Sequence, residues 1–160
     1  MAKPSPEELP GTSRNQRIFV GGQYDFMPTL RQIATFIETA PSPAGGLFPV
    51  IPYDYEIKVE ETMDRAVEIL GRCAYAIFDL SDLGAQLIEM QEAKQKHTSI
   101  KTLLVYPVRE TGAEPERGRR TIQSFGLPHF GYTTFDELRD IVLDFLADVS
   151  REATAIPGRD

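Results

Sequence analysis

The run Ala74-Tyr75-Ala76-Ile77-Phe78-Asp79-Leu80 constrains this chain more than any other segment. It is almost continuously apolar, too short for a buried helix, and it closes on a carboxylate. A strand covered on one face alternates apolar with polar residues, whereas a strand covered on both faces does not. The run therefore predicts a central strand of a sheet with helices on either side.

The surrounding sequence repeats that logic. Arg17-Ile18-Phe19-Val20 is a short apolar run closed by Gly21-Gly22, and Thr102-Leu103-Leu104-Val105-Tyr106 is another buried strand. Leu47-Phe48-Pro49-Val50-Ile51-Pro52 is weaker, because its prolines favour a short or edge strand. His129 to Tyr132 reads as a last short strand. Helical spacing of apolar residues appears between these runs: Leu30, Ile33, Ala34, Phe36 and Ile37; then Val59, Met63, Ala66, Val67 and Leu70; then Leu87, Met90 and Ala93. Arg119 to Phe125 reads as a short helix, and Phe135 to Val149 as a strongly amphipathic closing one. Strands that alternate with helices imply a parallel sheet joined by right-handed crossovers. The expected fold class is a three-layer, doubly wound α/β domain with five parallel strands in the flavodoxin-like order 2-1-3-4-5. The expected boundaries are a flexible, Pro-rich arm over 1–15, one domain over 16–150 and a flexible tail over 151–160.

Composition excludes several classes. Hydrophobic residues are 41% of the 160, enough for a core. The formal net charge of −7 disfavours binding to nucleic acid, whose phosphates such a chain repels. The one cysteine, Cys73, precedes a buried strand and reads as core, and it excludes an intramolecular disulfide. A lone thiol, polar N-terminal residues and no apolar run near the roughly 20 residues of a membrane helix lead to the expectation of a cytoplasmic protein without a membrane partner. His97 and His129 fit no metal spacing, so no metal is expected.

Open parallel sheets bind ligands at the carboxyl ends of their strands, where the strand order reverses. In this order the reversal lies between the first and third strands. It selects Gly21-Gly22-Gln23-Tyr24-Asp25-Phe26 and Asp79-Leu80-Ser81-Asp82-Leu83-Gly84. The two glycines let the backbone turn and a ligand approach the amides, and Tyr24 suits a base or ring. The segment is neither a G-x-G-x-x-G fingerprint nor a P-loop. Asp79 ends an apolar strand, where a carboxylate needs solvent or a partner. Glu89 follows ten residues later beside Leu87, Ile88 and Met90. Apolar surroundings raise a carboxyl pKa and suit a nucleophile or general acid. Glu92 reads as a solvated helix charge. Tyr53, Asp54 and Tyr55 follow the second strand and either line the same cleft or form a plain loop.

The segment Arg17 to Phe26 resembles the first strand and loop of nucleoside 2-deoxyribosyltransferases, although Gln23 stands where that family usually has proline. Ala74 to Glu89 is similar to their later signature of an apolar strand ending in Asp, a Gly-containing turn and a Glu on a helix. Here the family's Gly-Thr-Ala-x-Glu run reads Gly84-Ala85-Gln86-Leu87-Ile88-Glu89. The layout over residues 17–149 also resembles the TIR domain, whose enzymatic members cleave the N-glycosidic bond of NAD with a helix-borne Glu. The resemblance implies an N-glycosidase or glycosyl-transferring enzyme acting on a nucleoside or nucleotide. Glu89 would be its nucleophile, and Asp79 would orient or protonate the leaving base. Gly21, Gly22, Gln23, Tyr24, Asp25, Ser81, Asp82 and Gly84 would hold the substrate. It implies no cofactor, NAD entering only as a substrate, and a homo-oligomer. Two other readings remain. One is a non-catalytic TIR-like module for nucleotide binding or protein interaction, consistent with the absence of tryptophan from the chain. The other is a receiver or flavodoxin domain, which Gly21-Gly22 argues against, since it offers neither an acidic pair nor a Ser/Thr-rich phosphate loop.

Overall fold

The computed structural model describes residues 3–11, 13–22, 26–41, 46–56, 62–80, 100–108 and 128–155. Five strands form one parallel sheet: β1 (Arg17–Gly21), β2 (Phe48–Val50), β3 (Tyr75–Asp79), β4 (Lys101–Pro107) and β5 (His129–Tyr132). Their order is β2-β1-β3-β4-β5 and every neighbouring pair is parallel. Three helices lie among the described residues: α1 (Met27–Glu38), α2 (Thr62–Gly71) and α3 (Phe135–Ala155). The helices expected over 83–96 and 119–125 lie outside them.

Strand periodicity divides the core into two layers. Ile18, Val20, Ile77, Leu103 and Val105 point to one face, where α1 brings Leu30, Ile33 and Ile37, and α3 brings Leu138, Val142 and Leu146. Phe19, Ala76, Phe78 and Leu104 point to the other, against Ile69 and Leu70 of α2. Central strands with both faces covered are what a doubly wound sheet requires. The edge strand β2 is short, as its prolines imply. Pro49 lies within it and Pro52 opens a single 3-10 turn over Pro52–Asp54.

Local signals set the helix ends. Pro28 stands in the first turn of α1, where a missing N–H costs nothing. Ahead of α3, the Glu137 amide donates to Thr134 Oγ1 (3.2 Å). The Glu137 carboxylate accepts from the Thr133 amide (2.7 Å) and hydroxyl (2.9 Å). Those hydrogen bonds hold its carboxyl below the usual range, and together they make a capping arrangement. The helix runs past the expected boundary at Val149 to Ala155, because no stop signal precedes Pro157-Gly158.

Residues 3–11, Pro-rich and without periodicity, make specific contacts with the domain. Pro6 is buried and Leu9 packs against the Phe78 layer. Arg72 donates to the Pro6 carbonyl (3.2 Å), Arg17 Nε to that of Pro10 (2.7 Å), and the Glu56 amide to that of Pro4 (2.8 Å). Lys3 Nζ reaches the Tyr53 carbonyl at 2.8 Å. No helix among the described residues is long and apolar enough to cross a membrane.

Cys73 is core, as its position implies. It is fully buried, with Sγ 3.4 Å from the Ile69 carbonyl. Burial pushes its thiol up to about 12. That holds the thiolate fraction about a thousandfold below that of an ordinary thiol. An aromatic disulfide reagent at pH 8 is expected to leave Cys73 untouched in the native protein and to titrate one thiol once denaturant is added. Rapid reaction in native buffer would contradict this placement.

Candidate functional site

The strand order reverses between β1 and β3, which pair directly with Gly21 opposite Phe78. The chain leaves β1 through Gly22 and β3 through Leu80. These exits define the carboxyl edge of the sheet, where ligands of open α/β folds sit.

Both glycines are required, though not for a turn. Neither has a positive φ, so each serves close approach. A Cβ on Gly21 would lie 2.6 Å from Phe19 Cε1 and 2.9 Å from two ring atoms of Phe78. Gly21 thus leaves room for the Phe19–Phe78 pair, whose centroids are 5.5 Å apart. A Cβ on Gly22 would lie 2.8 Å from Leu30 Cδ2, 3.2 Å from the Asp79 carbonyl oxygen and 3.5 Å from Asp79 Cβ. The β1 exit therefore rests directly on Asp79. Gly21→Ala is expected to cost about 1–3 kcal/mol through overpacking, seen as a lower urea midpoint at unchanged slope. An unchanged midpoint would show that the two rings move aside freely.

Asp79 shares the sheet face of Ile77 and is 0% exposed. A buried carboxylate must be hydrogen-bonded. Tyr132 Oη donates to Asp79 Oδ1 at 3.1 Å. Tyr132 ends the edge strand β5 and is 5% exposed. It lies two residues further along the sheet than the level of Asp79, since Asp79 pairs with Val105, Val105 with Phe130, and Pro107 with Tyr132. Its ring reaches back across β4.

The turn after β2 closes the other side. Tyr53 Oη donates to the Gly22 carbonyl at 2.8 Å. Asp54 takes both arms of the Arg31 guanidinium from α1, Nη1 to Oδ2 at 2.6 Å and Nη2 to Oδ1. Both side chains are more than a third exposed, so this fork holds the turn to α1 with modest energy. Tyr55 departs from its neighbours. It packs in the layer under α2, where desolvation, with a smaller contribution from Asp54, raises its hydroxyl pKa.

No known protein family matches the chain, and no curated protein does. Among solved structures it is similar to a carbon monoxide dehydrogenase from Thermococcus sp. AM4, with a TM-score of 0.52 and 14% identity over 98% of this chain. The match spans 24% of that longer protein. Likeness at this identity is one of fold alone.

Of the residues that sequence reasoning places in the site, the structure brings Gly21, Gly22 and Asp79 together. Gln23, Tyr24, Asp25, Ser81, Asp82, Gly84 and Glu89 lie outside the described residues, as do Glu92 and His97. His129 opens β5, at the opposite end from Tyr132. Among the described residues no group of three or more His, Cys, Asp or Glu side chains is placed to hold a metal ion. Sequence reasoning overlooked Tyr132 and Arg31. A hint for Tyr132 existed, because a tyrosine at the inner end of a strand must find a partner for its hydroxyl.

Proposed function

We propose that this chain binds a nucleoside or nucleotide, NAD included, at the carboxyl edge of β1 and β3, and cleaves its N-glycosidic bond. One observation carries the reading. A fully buried carboxylate, Asp79, lies against the Cβ-free exit of β1 at the reversal of strand order. Burying a carboxyl group costs free energy even when it is partly offset by a hydrogen bond such as that from Tyr132, and ionisable groups held in this way cluster at functional sites. In this architecture that position faces the ligand cleft.

The chemistry needs a second carboxylate, and Glu89 supplies it. Its oxygen approaches the anomeric carbon as the carbon–nitrogen bond breaks, and the base leaves with the bonding pair. Charge develops as in glycoside hydrolysis, through an oxocarbenium-like transition state. As nucleophile, Glu89 forms a glycosyl ester that water, or a second base, then opens. Asp79 orients the leaving base or gives it the proton that a base departing as an anion needs, and the water or second base that opens the ester returns a proton to the site. Gln23, Tyr24, Asp25, Ser81, Asp82 and Gly84, which follow β1 and β3 in sequence, hold sugar and base.

The test is direct. Purified protein is incubated with NAD and a panel of nucleosides and deoxynucleotides, and free base is followed by chromatography. Release of one base above the uncatalysed rate supports the reading and names the substrate. No release at saturating substrate would replace it with a non-catalytic module that binds nucleotides or proteins.

A further inference from the structure

Two tyrosine hydroxyls reach the site from opposite sides of the sheet. Tyr53, beyond the edge strand β2, holds the Gly22 carbonyl; Tyr132, at the end of the edge strand β5, holds the Asp79 carboxylate. The two residues they hold are neighbours, since a Cβ on Gly22 would lie 3.2 Å from the Asp79 carbonyl oxygen and 3.5 Å from its Cβ. Tyr132 is itself fixed, because its carbonyl accepts the Val108 amide at 2.7 Å, at the exit of β4. Its ring belongs to the layer that includes Val105 and Leu138. A phenylalanine would serve packing alone, and a buried hydroxyl requires an acceptor. The acceptor here is a carboxyl oxygen. The terminal torsion of an aspartate is broad and nearly two-fold, so packing by itself leaves the carboxylate plane loosely set. The hydrogen bond to Oδ1 favours one orientation of that plane.

We propose that Tyr132 is a positioning residue of this site, acting through Asp79: it fixes the carboxylate plane that orients the leaving base. The proposal rests on the glycosidic reading above. It concerns a residue of β5, far in sequence from both loops of the site.

The test is a double-mutant cycle on base release with Tyr132→Phe, Asp79→Ala and the pair, using the substrate that the panel identifies. Tyr132→Phe is expected to lower kcat about ten- to a hundredfold, the range for removing one partner of a buried hydrogen bond, and to leave KM within about twofold. In the Asp79→Ala background the same change is expected to have no further effect, because the hydroxyl's acceptor is already gone. A residue that only supports the fold would lower both backgrounds alike and would lower the melting temperature in proportion. Should Tyr132→Phe fold poorly, 4-fluorophenylalanine at position 132 fills the space of the hydroxyl without a proton to donate, and the same cycle is read with it. An active wild type with unchanged kcat in these variants, or equal losses in both backgrounds, overturns this inference alone. A wild type that releases no base from any substrate overturns it together with the glycosidic reading.

Discussion

Phe78→Ala is expected to lower the unfolding free energy by about 3–5 kcal/mol. For a domain of this size that corresponds to a fall of roughly 6–20 °C in melting temperature. Phe78 is fully buried in the central strand β3. Its ring packs on Phe19 at a 44° interplanar angle, beside the position where Gly21 lacks a side chain. Truncation removes apolar surface and leaves a cavity. Collapse into that cavity is resisted, because β3 is paired on both sides, by β1 and by β4. The neighbours best placed to move in are Phe19 and the α2 residues Ile69 and Leu70, themselves fixed in the same layer. Calorimetry or urea titration reads the loss directly. A drop below about 1 kcal/mol would mean that the layer repacks, against the expectation for a close-packed interior. Gly21→Ala probes the same contact from the opposite side, by excess volume instead of a void.

The strand order and the two-layer core follow from features that periodicity carries. Ala74 to Leu80 could be read as central because burial on both faces removes the polar half of the alternation. The two prolines around Val50 marked β2 as a short edge strand for an equally local reason. Topology then located Asp79 and Gly22 together before any side chain was placed. What periodicity does not carry is the phase of one strand relative to another. Tyr132 and Asp79 lie on the same face, separated by β4, and their meeting depends on the register Leu104↔His129. No local pattern encodes that register. The glycines were legible as places where the backbone turns and a ligand approaches; what the sequence does not show is that neither has a positive φ and that a Cβ there would meet Phe19, Phe78 and Leu30. The contacts of residues 3–11 were hidden for a similar cause. They depend on Arg17 and Arg72 donating to carbonyls of a segment that has no ladder of its own.

On the proposed glycosidic chemistry, Glu89→Gln is expected to reduce base release at least about a thousandfold, the loss that follows when a covalent nucleophile is removed. The substitution keeps the size of the side chain and its capacity to accept a hydrogen bond. It removes the negative charge that an oxocarbenium-like centre requires and the oxygen nucleophile that captures it. KM for the nucleoside is expected to change far less than kcat, since the uncharged ground state gains little from the carboxylate. Glu92→Gln is the matched control. It lies three positions further along and reads as a solvated charge, so its activity should stay within about twofold of wild type. Asp79→Asn separates the two carboxylates. As an orienting group it should cost less than Glu89 does. Equal and complete losses in both single carboxylate variants would give Asp79 a direct part in bond cleavage. Full activity in Glu89→Gln with loss only in Asp79→Asn would transfer the nucleophile to β3 itself and leave Glu89 without a part in the chemistry.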